Sequence, residues 1–78
     1  MPTILRVGPY RFFVYACDRD EPIHVHIEHN DNIAKFWLEP IRLANSGGFS
    51  RLDLSRISEM IEENSETIVE AWHEYFGD

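Results

Sequence analysis

The sequence predicts an α+β fold, a small antiparallel sheet of about three to five strands with a long C-terminal helix packed on one face. Three observations lead there. The first half alternates apolar and polar residues with period two, most clearly in IHVHIEH at residues 23–29. The second half carries Leu54, Ile57, Ile61, Ile68, Trp72 and Phe76 in one helical phase. Between them, Ser50-Arg51-Leu52-Asp53 has the form of a helix-start signal. Residues 1–78 read as one domain, with the sheet in 1–45 and the helix in 50–76.

Each element has its own local justification. Thr3 to Val7 is a short strand rich in β-branched residues, closed by the turn signal Gly8-Pro9. YRFFVYA at residues 10–16 is an aromatic and β-branched run that predicts a second strand, and CDRDEP after it is a polar loop. In the third strand Ile23, Val25 and Ile27 share one face, and His24, His26 and Glu28 the other. In the fourth, Ala34, Phe36 and Leu38 face one way and Lys35 and Trp37 the other. A two-residue turn at Asn30-Asp31 pairs Val25 with Phe36 and His26 with Lys35. A three-residue turn breaks that match. IRLAN after Pro40 is a further short strand or extended edge, and SGG is a loop.

The helix has its N-cap at Ser50, with Phe49 and Leu54 placed as a hydrophobic staple. Its apolar stripe passes through Asn64-Ser65 without losing register, which predicts one long helix, bent there. The alternative is two helices sharing a break at that point, with Ser65 as a second cap. Gly77 after Phe76 is a C-terminal cap signal.

Composition narrows the function classes. A chain of this length buries roughly 60–65% of its unfolded surface, so its core is thin and invites a partner chain. Cys17 is the only cysteine, so no disulfide forms within the chain, and the sequence points to a reducing compartment. No signal-peptide pattern opens it and no apolar run is long enough to span a bilayer, so a cytoplasmic, soluble protein is expected. The net charge is −7, and it is uneven. Residues 57–78 hold seven acids and no Lys or Arg, whereas residues 40–56 hold three arginines against Asp53. An acidic chain without a basic stripe lacks the footprint of a phosphate-backbone binder, which argues against direct nucleic-acid binding by the monomer.

MPTILR at the start, the FFVY run, Glu-Pro-x-His-Val-His within EPIHVHIE, AKFWL, and I-x-x-x-W-x-x-Y-F at the C-terminus together carry a resemblance. The chain resembles a family of small prokaryotic proteins, domain of unknown function 4160, over nearly its whole length. That family more often has two consecutive prolines where this chain has Pro22-Ile23, with the histidines in place. The resemblance implies no settled activity. Members resemble components of small paired operons, which implies a regulatory or toxin–antitoxin-like pairing.

The histidines are the chemical feature. His24 and His26 project from one side of a strand and Glu28 continues the row, a pattern that can ligate zinc or another divalent transition metal. Besides Glu28, the residues Asp18, Asp20 and Cys17 are candidates to complete the ligand shell. A solvated polar face is the plainer reading of the same row. A catalytic alternative makes His24 and His26 the acid and base, with Lys35 stabilising negative charge, for cleavage of a phosphodiester bearing its own 2′-hydroxyl. Asp18, Asp20, Glu21, Glu28 and Asp31 around that strand would repel such a substrate.

Two surfaces suggest a partner. Phe13, Tyr15 and Trp37 lie on the face that one helix cannot cover. Glu62, Glu66, Glu70 and Glu74 recur every four residues as an acidic ridge whose repulsions cost about 0.2–0.5 kcal/mol each, a surface for a basic partner. The expectation from sequence is a protein-interaction or regulatory module of a toxin–antitoxin-like pair, its partner a small protein or a second copy. The alternative is a metal-binding protein or small hydrolase built on His24 and His26.

Overall fold

Among the described residues, five antiparallel strands in a plain meander, ordered β1-β2-β3-β4-β5, carry two C-terminal helices. The computed structural model describes residues 3–77. The strands are β1 (Thr3–Val7), β2 (Tyr10–Phe13), β3 (His24–His29), β4 (Asn32–Leu38) and β5 (Ile41–Asn45). A 3₁₀ turn spans Ala16–Asp20, and the helices are α1 (Arg51–Glu63) and α2 (Ser65–Phe76).

The central hairpin has the register that the alternation requires. Val25 pairs with Phe36 and His26 with Lys35, and His29 with Asn32 closes the two-residue turn. Asn30 takes φ 56° there, a left-handed conformation that asparagine tolerates better than most residues. IRLAN is a paired edge strand, with Leu43 opposite Phe36.

Two expectations are corrected. The second strand ends at Phe13 and does not run to residue 16. Val14 turns instead into a cluster with Trp72 and Phe76, and the Tyr15 backbone N–H donates to the Asp18 carboxylate at 2.8 Å, which draws the chain into the 3₁₀ turn. The C-terminal segment is two helices and not one. Asn64 leaves the helical conformation at φ −115° and ψ 15°, and its side-chain amide donates to the Met60 carbonyl at 2.8 Å. That local bond competes with helix propagation. The cap of α2 is therefore Asn64 and not Ser65.

The helix start behaves as its residues dictate. Ser50 Oγ accepts the Asp53 backbone N–H at 3.2 Å, and Phe49 and Leu54 join the same apolar cluster. Ile57, Ile61 and Ile68 press on Phe12, Val25, Ile27, Ala34 and Phe36, burying one face of the sheet. Trp72 and Phe76 form the second cluster with Val14, where Ile23 also packs. The last turns of α2 thereby reach the end of the sheet at which β3 begins. Among the described residues no helix is long and apolar enough to cross a membrane.

Candidate metal centre

His24 and His26 open β3 on the sheet face opposite Val25 and Ile27, as alternation demands. Aromatic rings fix both imidazoles. His24 meets Trp37, its cross-strand partner, at 5.4 Å between centroids and Trp72 of α2 at 5.2 Å. His26 stacks on Phe13 at 5.4 Å and meets the edge of Tyr15 at 4.7 Å. His24 is wholly buried.

The 3₁₀ turn folds back over these rings and delivers Asp18, itself buried. One carboxylate spans both histidines: Oδ1 lies 3.1 Å from His24 Nε2 and Oδ2 lies 3.1 Å from His26 Nε2. One ligating atom from each of the three residues falls within 4.8 Å of the others.

Hydrogen bonding sets the state of His24. Its Nδ1 stands 2.8 Å from the Pro22 carbonyl oxygen, which can only accept, so Nδ1 carries the proton. The other ring nitrogen, Nε2, is the one that faces Asp18. That atom is buried, and among the described residues its near neighbour is Asp18 Oδ1 at 3.1 Å. Two acceptors held 3.1 Å apart repel unless a proton or a metal ion lies between them. A backbone carbonyl that fixes one imidazole nitrogen while the other faces inward is the usual outer support of a metal-bound histidine.

Burial alone would raise the Asp18 carboxyl, but the Tyr15 N–H and the neighbouring His24 and His26 outweigh it and hold it below the ordinary aspartate range. Burial lowers the His26 imidazole below its ordinary value, against the opposing pull of Asp18, and so favours the neutral form that binds metals. Two imidazole nitrogens and a carboxylate suit zinc and its divalent neighbours.

The other residues singled out from sequence lie elsewhere. Glu28, expected as the third ligand, pairs with Arg11 at 2.8 Å because β2 sets Arg11 directly opposite it. Asp20 and Cys17 are exposed and outside the cluster. Lys35 is bound to Glu21 at 2.8 Å and lies 4.5 Å above the Trp37 ring. Phe13 is no surface residue: it is fully buried, with the Arg11 guanidinium 4.2 Å above its ring, and Tyr15 and Trp37 are half-buried. The four glutamates of the ridge are exposed, but the break at Asn64 leaves Glu62 on α1 and the other three on α2.

Sequence reasoning included Asp18 among four candidates without separating it from the rest. Its only sequence signal is the position in a loop just before the strand, and the fold-back is invisible at that level. Glu21, 3.6 Å from His24 Nε2 at its Oε1, had no signal of its own.

No curated protein and no solved structure matches the chain. The matched stretch of the family profile, residues 10–73, contains Asp18, Glu21, His24, His26, Lys35 and Trp72. With that match over most of its length, the chain belongs to the family described as Domain of unknown function (DUF4160).

Proposed function

We propose that the chain is a small metal-binding module in which Asp18, His24 and His26 hold one divalent transition-metal ion of the zinc class. The observation that carries this reading is the convergence of the His24 and His26 Nε2 atoms on one buried carboxylate, with His24 itself wholly buried. Three protein ligands are the number that a catalytic zinc takes, with a fourth position left for water or another group. The inward turn of both Nε2 atoms to one carboxylate, with His24 wholly buried, disfavours their use as a free acid–base pair on a polymer.

The test is metal analysis of protein purified without a histidine tag and dialysed against zinc. Wild type is expected to retain about one equivalent, and Asp18→Asn and the double variant His24→Ala, His26→Ala to fall at least tenfold. Asp18→Asn keeps the side chain's shape, so its circular dichroism should match wild type. Equal metal in wild type and variants, or none in wild type, would leave the cluster as a buried ionic staple for the 3₁₀ turn.

A second reading, an interaction module in a regulatory pair, is favoured by one surface feature. A groove of about 510 Å³ is lined by Glu39, Glu66 and Glu70 around Leu38, Ser65 and Val69, a negative rim on a partly apolar floor. It fits a basic partner protein. Glu66→Lys with Glu70→Lys should leave the melting temperature within a few degrees and weaken capture of a basic neighbouring gene product at low salt. At 1 M salt the difference should shrink, since the screening length falls to about 3 Å. Equal capture by both chains at low salt would remove the ridge from consideration.

A further inference from the structure

The edge of the site that faces solvent is formed by Glu21 and Lys35. Glu21 Oε1 stands 3.6 Å from His24 Nε2 and accepts from Lys35 Nζ at 2.8 Å. The same His24 nitrogen is therefore flanked by two carboxylate oxygens, at 3.1 Å from Asp18 and 3.6 Å from Glu21. Ligands about 2.0–2.1 Å from a tetrahedral ion stand roughly 3.3–3.4 Å from each other, and the two observed separations bracket that distance. Asp18 and His24 are buried, whereas the Glu21 side chain is 47% exposed and Lys35 23%. Glu21 lies outside the three-residue group whose ligating atoms fall within 4.8 Å of one another, and as an exposed acid at its edge it can swing toward it.

We infer that Glu21 is a fourth, exchangeable ligand of the Asp18, His24 and His26 centre, and that Lys35 competes with the metal for it. This rests on the metal reading above. With Glu21 on the ion, the shell is closed by four protein ligands, as in structural sites. With Glu21 drawn off by Lys35, three protein ligands remain and one position is open to an exogenous oxygen or nitrogen donor. Lys35 is held on this task from two directions: its Nζ lies over the Trp37 ring, and its backbone pairs opposite His26 on β3. The cation–π contact keeps the ammonium beside Glu21 and limits its escape to bulk water.

Cobalt(II) titration of the untagged, metal-stripped full chain tests this, because the visible absorption of cobalt reports ligand number along with affinity. Wild type, Glu21→Gln, Lys35→Met and the double variant form a cycle. Glu21→Gln should bind about tenfold more weakly and lose tetrahedral band intensity. Lys35→Met should bind about two- to fivefold more tightly, the range set by a partly exposed ion pair, and gain intensity. If Lys35 acts through Glu21, its effect vanishes in the Glu21→Gln background. A Lys35→Met effect that persists there reports plain charge repulsion and overturns the inference. Cobalt binding by wild type with no change in Glu21→Gln also overturns it while the three-residue site stands. No cobalt binding by wild type removes both.

Discussion

Trp72→Ala is expected to lower the thermal midpoint by about 12 °C or more and to leave much of the chain unfolded at 37 °C. Trp72 is 3% exposed and holds together Val14, Phe76 and the Ile23 end of β3. Truncating a buried tryptophan to alanine costs about 3–5 kcal/mol, and in a domain of this size each kcal/mol shifts the midpoint by about 4–8 °C. The consequence reaches the site, because the Trp72 ring is one of the two aromatic walls that fix His24. Trp72→Phe keeps an aromatic wall and is expected to retain most of the stability. Calorimetry of the three chains decides it. A Trp72→Ala midpoint within a few degrees of wild type would mean that the second cluster contributes little and that His24 is oriented by Trp37 and Pro22 alone.

Gly47→Ala is expected to destabilise the chain on the order of 3 kcal/mol, far beyond what a surface-loop methyl normally does. Gly47 sits at φ 58°, where an L side chain costs about 1–2 kcal/mol. Space is the larger problem. A Cβ at Gly47 would lie 1.8 Å from the Ile33 carbonyl oxygen of β4, an overlap that only displacement of the loop can relieve. Displacing it pulls on Phe49, which is buried, and on the Ser50 cap that starts α1. Gly8→Ala is the control, since Gly8 has a similar φ of 57° and, among the described residues other than its chain neighbours, nothing lies within 4 Å of the place its new methyl would take. It should show the conformational cost alone. Equal melting of the two alanine variants would show that the loop at Gly47 yields freely and does not anchor the helix start.

The features legible in the sequence are those decided over a few residues. The β3–β4 register follows from strict alternation plus a two-residue turn, because sliding by one residue would put Val25 and Ile27 on the polar side. The N-cap at Ser50 is equally local, requiring only a hydroxyl three residues before an N–H in need of a partner. The break between the helices was harder. An apolar stripe reports which way side chains face, and Ile57, Ile61 and Ile68 keep one face across Asn64 even though the backbone hydrogen bonding changes there.

The site divides along the same line. Residue type and spacing on one strand determined that His24 and His26 share a face. Only the tertiary structure decided which acid joins them. Glu28 is nearer along the row but is taken by Arg11 across the sheet, whereas Asp18 arrives from a 3₁₀ turn whose path depends on Val14 leaving β2 for Trp72 and Phe76. Burial of His24, the bond that fixes its tautomer and the pairing of Lys35 with Glu21 depend on contacts between segments distant in the chain. Alternation tells a side chain which way to point, but what meets it there is set by the packing of the whole fold.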